Sequence, residues 1–176
     1  MSLRALAIAL ITRAAGTAGI PEDSVFPELE NEADEEAFLP EERLEMAFLE
    51  ETFKYQGWRV GRLLADDSAT FRTRWAKYQA TLPVRVLIRG TDQNRLDALC
   101  RGFLLALPGK ARDSYGNTVR VKAGKAVRKG YTFASIRIEE KPTQAIHVNF
   151  SGIVHEDVDT GAITRITLHP DYEVKQ

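Results

Sequence analysis

The amino-acid sequence predicts an α+β domain, a mostly antiparallel β-sheet with an N-terminal helix and a central helix packed on one face. Three observations lead there. Two segments carry apolar residues at helical spacing, several others alternate at strand spacing, and the strands follow one another through short turns. The chain has 176 residues, the size of one domain, which we read as residues 1–176 with an acidic extended loop at about 21–42.

The first helix is read over residues 2–14. Leu3, Leu6, Ala7, Leu10 and Ile11 form one apolar stripe, Ser2 is a capping residue, and Gly16 is the expected stop. Arg4 followed by Ala5–Ile11 also has the outline of a short signal peptide, but Thr12 and Arg13 interrupt the run, so a retained helix is expected. Residues 16–41 hold Pro21, Pro27 and Pro40 and show no period, which predicts an extended loop.

From Leu44 the pattern alternates. Leu44, Met46 and Phe48 share one parity, whereas Phe53 and Tyr55 take the other, so a bulge or break is expected between them. A helix from Pro40 to about Glu51 competes with this strand, because a proline followed by acids suits a helix start. Residues 71–89 are a clearer strand, or two halves of one. Phe71, Thr73 and Trp75 alternate with arginines, as do Leu82, Val84, Val86 and Ile88. Pro83 has no amide hydrogen and is expected at a strand start or an edge.

The central helix follows the Gly90-Thr91-Asp92 turn. Leu96, Leu99, Cys100, Phe103, Leu104 and Leu107 recur at helical spacing, and Pro108-Gly109 stops them. The remaining strand candidates are Val119–Val121, Tyr131–Ile138, Ala145–Val154 and Ala162–Leu168, with Asp157–Gly161 read as a hairpin loop.

Composition excludes several classes. Apolar residues make up 44% and charged residues 28%, which argues against disorder and fibrous repeats. No apolar run approaches the roughly 20 residues of a membrane helix. One cysteine cannot make an internal disulfide. Phosphate loops fail on spacing, since Ala123-Gly124-Lys125 and Pro108-Gly109-Lys110 lack both the earlier glycine and the following Ser or Thr. The histidines His147, His155 and His169 have no zinc-site spacing, and His155–Asp159 lacks the glycine and terminal glutamate of a calcium loop. Cys100 lies on an apolar helix stripe, where thiols pack as small hydrophobes. Ser151-Gly152 has no nucleophile-elbow context. His147 has the parity opposite to Ile146, Val148 and Phe150, and is read as a surface residue.

Charge is the informative feature. The net charge is −1, but residues 21–51 hold thirteen acids against Arg43, for −12, and residues 52–142 hold nineteen bases against seven acids, for +12. Such blocks mark a solvated arm or a surface that meets an opposite field. The plain reading is that the acidic segment folds over its own basic domain or keeps the protein soluble. The sharper one is that one subunit's acidic arm meets a neighbour's basic face. Arg120–Lys129 is the clearest basic patch. No aromatic residue lies inside it, so a stacking platform for bases is missing. A solvated hairpin loop is its plain reading, with an acidic protein surface or a phosphate as the alternatives.

The order of parts resembles the tail terminator (tail completion) proteins of tailed bacteriophages. It runs from an amphipathic helix through a proline-containing lead into a strand. An alternating strand then feeds a helix, as Val86-Leu87-Ile88-Arg89-Gly90-Thr91-Asp92 with Leu96 and Leu99, and antiparallel strands close the chain. The long acidic loop and Lys122–Lys129 suit a contractile-tail version that also meets a sheath. The resemblance implies a structural virion protein, not an enzyme, without cofactor or catalytic residues. It implies a ring, generally a hexamer, assembled in the host cytoplasm. Its partners would be itself, the tail tube protein, a neck or connector protein and a sheath, with no membrane and no sequence-specific nucleic acid. A neck or head-completion adaptor and an intracellular nucleic-acid-binding module are the other readings.

In a ring, one patch meets a different patch on the next copy. The charge blocks therefore predict that Glu28, Glu30, Glu32, Asp34, Glu35 and Glu36 lie against basic residues of a neighbouring subunit or of a tail partner, with Arg120, Lys122, Lys125, Arg128 and Lys129 as the candidate on a neighbouring copy.

Overall fold

Helix α1 spans Leu3–Ala18, and Ser2 caps it, its Oγ accepting from the Ala5 N–H at 3.2 Å. The helix runs past the expected stop at Gly16. Gly19 ends it instead, because Gly19 takes the left-handed conformation (φ 96°) and donates its N–H to the carbonyls of Ala15 and Gly16. The computed structural model describes residues 2–27, 39–64, 70–128 and 142–161. The strand candidates Tyr131–Ile138 and Ala162–Leu168 lie outside them.

The segment read as an irregular loop contains two short elements. A single 3₁₀ turn at Glu22–Ser24 leads into β1 (Val25–Phe26), which pairs in parallel with β2 (Arg43–Phe48) at Val25↔Leu44. β2 forms in place of the competing helix. Leu44 and Met46 are both buried on one face, a period of two that a helix cannot supply. The expected break falls at Leu49–Glu51, after which β3 (Thr52–Leu64) begins.

β4 is one continuous strand, Thr70–Arg89, antiparallel to β2 from Phe48↔Val84 to Arg43↔Arg89. Pro83 sits inside it, against expectation. The reason is local: pairing with β2 ends at Val84, and the Pro83 carbonyl accepts from the Leu49 N–H at 3.0 Å. In a strand the nitrogen points the same way as its carbonyl, so the missing donor falls where the β2 ladder has already stopped.

Helix α2 (Gln93–Ala106) starts at Asp92, whose carboxylate accepts from the Arg95 N–H at 2.8 Å. β5 (Lys110–Arg112), which the sequence pattern did not single out, turns through Asp113–Asn117 into β6 (Thr118–Arg128). β7 (Thr143–Gly161) is far longer than Ala145–Val154. Asp157–Gly161 is therefore strand and not the expected hairpin loop, and Asp157 and Asp159 carry cross-strand ion pairs. The strands form a seven-stranded sheet in the order β1-β2-β4-β7-β6-β5, with β3 paired to β4.

The chain divides into two compact units. The first comprises Met1–Lys54 and Gln79–Ile153, the second Tyr55–Tyr78 and the chain from Val154 onward. In the first unit both helices cover one face of the sheet. Leu82, Val84, Val86 and Ile88 of β4, Ile146, Val148 and Phe150 of β7, and Leu96, Leu99, Cys100 and Phe103 of α2 are all buried in one core with Leu6, Ala7 and Ile11 of α1. Leu104 is 39% exposed and lies off the buried stripe of α2. Two glycines set the helix packing. A Cβ on Gly102 would lie 3.2 Å from Ala18 Cα, and one on Gly90 would lie 2.8 Å from the Leu96 amide nitrogen.

Candidate assembly interface

The basic patch lies on a strand, not in the hairpin loop that was its plain reading. Arg120, Lys122 and Lys125 are exposed on β6, and Arg128 is its last residue. β7 pairs along β6 from Arg120↔Ser151 to Arg128↔Gln144, with a register shift between Ala123 and Ala126. On the other side β5 reaches only Arg120. From Lys122 onward β6 is thus a sheet edge among the described residues. Lysines and a bulge at an edge oppose further strand pairing. Glu28, Glu30, Glu32, Asp34, Glu35, Glu36 and Lys129 lie outside the described residues, and so does their expected meeting with β6.

The end of the acidic stretch has partners within its own unit. Glu42 receives two hydrogen bonds from Arg95, Nε and Nη2 both at 2.9 Å, and a third from the Thr91 hydroxyl at 3.3 Å. The Arg95 bonds hold the Glu42 carboxyl below the usual carboxylate range, against a smaller effect of burial. Glu45 is paired with Arg43 at 2.6 Å and with Arg89 at 3.4 Å. Part of the acid therefore folds onto the basic residues of its own chain.

The second unit is built differently. A ladder of ion pairs joins β4 to β7: Arg72 to Asp159 at 3.0 and 3.2 Å, Arg74 to Asp157 at 2.8 Å through both guanidinium nitrogens, and Lys77 to Glu156 at 2.6 Å. The two arginine pairs are bidentate, the geometry that guanidinium and carboxylate share. Arg74 holds the Asp157 carboxyl below its usual range, and Glu156 raises the Lys77 ammonium. Among the described residues of this unit, Ala76 is the one buried apolar side chain.

Several of its described apolar side chains face solvent instead, while Trp75 is half-buried. Tyr55 is 65% exposed, Trp58 49%, Val60 45% and Tyr78 43%. The Tyr55 and Tyr78 rings meet edge to face at 5.6 Å. Gly57 takes a positive φ of 65°, and the Tyr55 ring lies across it, so that a Cβ there would fall 2.7 Å from ring atoms. These aromatic residues were not among the sequence-derived site residues. A signal was present: residues 52–64 carry three bases, no acid, and apolar residues on both parities. That pattern is unsuited to a strand with one face in a core and one in water.

The described residues bring together no group of three or more histidine, cysteine, aspartate or glutamate side chains that could hold a metal ion. Cys100 is buried in the core of the first unit. Compared with protein-family models and with curated proteins, the chain matches none.

Proposed function

We propose that this protein is a structural virion component, a ring-forming tail terminator that caps a phage tail tube and joins the tail to the neck. The observation that carries the reading is the second unit. Among its described residues, the strands expose aromatic and aliphatic side chains and fully bury one apolar side chain, Ala76, which supports a surface completed by assembly. The α+β scaffold with two helices on one face of the sheet is compatible with the element order on which the resemblance rests. Its partners on this reading are further copies of itself, tail tube protein, and a neck or connector protein, with a sheath in a contractile tail.

Electron microscopy of the purified protein, alone and mixed with tail tubes, tests this directly. Rings that seat on tube ends are expected. Loss of the protein from an infecting particle should give overlong tails. Unjoined heads with tails of normal length would instead make it a neck adaptor. Retention on a phosphate resin that collapses steeply with salt, with no ring seen, would make it a nucleic-acid-binding module.

A further inference from the structure

We infer that the face of β5 and β6 turned away from the helices is a seat for the phosphate backbone of duplex nucleic acid, bound without regard to base sequence. The seat lies within the first unit and does not depend on the chain forming a ring.

The register fixes which side chains share that face. Val119 and Val121 of β6 are buried in the helical core, so Arg120 and Lys122, one residue out of step, stand on the opposite side. Lys110 of β5 lies directly opposite Arg120, and Arg112 lies opposite Thr118. On β7, Ser151 lies opposite Arg120 and Asn149 opposite Lys122. Neighbouring strands are about 4.8 Å apart and alternate residues about 6.7 Å apart along a strand, so the four bases form one cluster. All four are exposed, and none of their side chains has an ion-pair partner among the described residues.

Folding gives no reason for this arrangement. Like charges directly opposite on paired strands are destabilising, yet Lys110 faces Arg120, and no acid stands opposite any of the four. The second unit of the same chain does otherwise: there Arg72 and Arg74 meet Asp159 and Asp157. The one acid of residues 109–128, Asp113, is occupied within its own turn. Its carboxylate accepts from the Tyr115 and Asn117 N–H groups, both at 2.8 Å, and from the Asn117 side-chain amide at 3.0 Å. The cluster is therefore matched by an anion from outside this hairpin.

An acidic protein and a nucleic acid both carry such anions, and the rest of the face separates them. Protein interfaces close around apolar and aromatic side chains and are poor in lysine. Here the outward positions of β5, of Thr118–Lys122 and of His147–Ser151 carry only basic and polar side chains. Phosphate contacts need no apolar centre, because the affinity comes from the counterions that the bases displace. A single strand would be held by stacking. β5 and β6 have no aromatic residue, and Tyr115 at their turn is one ring and not a platform for successive bases. Lysine and arginine on phosphates position a duplex without reading it.

The test is fluorescence anisotropy of a short labelled duplex of mixed sequence with the full-length protein across a salt series. Binding at low salt is expected, with log K falling against log salt at a slope of about −3.6 per chain, about 0.9 for each of four phosphates. Arg120→Gln with Lys122→Gln should halve that slope and melt like wild type, since both side chains are exposed. Arg13→Gln with Arg101→Gln removes the same charge from α1 and α2, on the other side of the sheet, and should leave the slope unchanged. No binding of the duplex at low salt overturns the inference, and capture of polyglutamate in its place would give the face to an acidic protein. Tighter binding of a single strand than of the duplex also overturns it. So does an unchanged slope in the β6 variant, or an equal loss in the helix variant. Should the β6 variant melt abnormally, Lys110→Gln with Arg112→Gln decides by the same slope. Neither ring nor tail tube enters this assay, so tube capping and duplex binding can each fail while the other stands.

Discussion

The two units of the chain solve the same problem, holding long strands together, by opposite means. In the first, two helices bury one face of the sheet, and Phe103, Phe150, Leu96, Leu99, Val84 and Ile88 are each under 2% exposed. In the second, one alanine is buried among the described residues, and exposed ion pairs and a pair of tyrosines link the strands. Apolar burial contributes roughly 1.5–3 kcal/mol for each large side chain. Exposed ion pairs contribute little and weaken with salt. In the second, Tyr55, Trp58, Val60 and Tyr78 stay largely in water, which supports the proposed reading of a surface that meets another molecule.

The comparison breaks most readily at the core. Truncating Phe103 to alanine should cost about 3–5 kcal/mol, seen as a lowered urea midpoint for the whole transition. A loss near zero would mean that the helical layer does not hold the first unit together. Next in size is Gly90→Val. A Cβ there meets the Leu96 backbone, and the turn into α2 cannot retreat without moving the helix, so about 1–3 kcal/mol should be lost in the same melt.

The acid limb of stability is a smaller effect and sharpens the contrast. Arg95 holds the Glu42 carboxyl below its ordinary value of 4.5, so the folded state binds this proton less readily than the unfolded chain. The stabilisation is complete above that ordinary value and is lost as pH falls through the lowered native one. Glu42→Gln should remove this part of the pH dependence while leaving the neutral-pH core intact, measured as urea midpoints across the acid range. Asp157, lowered by Arg74, follows the same sign, but its pair is exposed. Its effect should appear as faster amide exchange in β4 and β7, and salt should reproduce it. Smallest of all, Val154→Ser and Val158→Ser should change the melting of the chain by about 0.5 kcal/mol or less, since both side chains are already in water. A large loss there would reveal a second core.

The first unit was legible because its elements obey short-range periods. Leu96, Leu99, Cys100 and Phe103 at helical spacing, and Leu82 to Ile88 at strand spacing, are buried as their spacing implies. His147 follows the same rule, half-buried between the buried Ile146 and Val148. The candidate interface was less legible. Arg120–Lys129 stood out as charge, yet charge in sequence does not say whether the backbone beneath it is a loop or a strand edge. The aromatics of β3 carry no such mark, because a tyrosine or tryptophan in a strand reads as core until the layer that would cover it is located.

By itself the sequence determined the α+β class, the two helices on one face, the buried stripes and the opposed charge blocks, because each depends on residue spacing or on a sum over residues. Where α1 stops, and how Pro83 sits inside a strand, depended on which carbonyls and amides found partners. The length of β7 depended on its pairing with β4, more than eighty residues away in the chain, along which Arg72 and Arg74 meet Asp159 and Asp157. Only the tertiary structure decided which apolar residues remain in water. Burial belongs to the neighbours that a fold supplies, and for Tyr55, Trp58, Val60 and Tyr78 the described chain supplies too few of them.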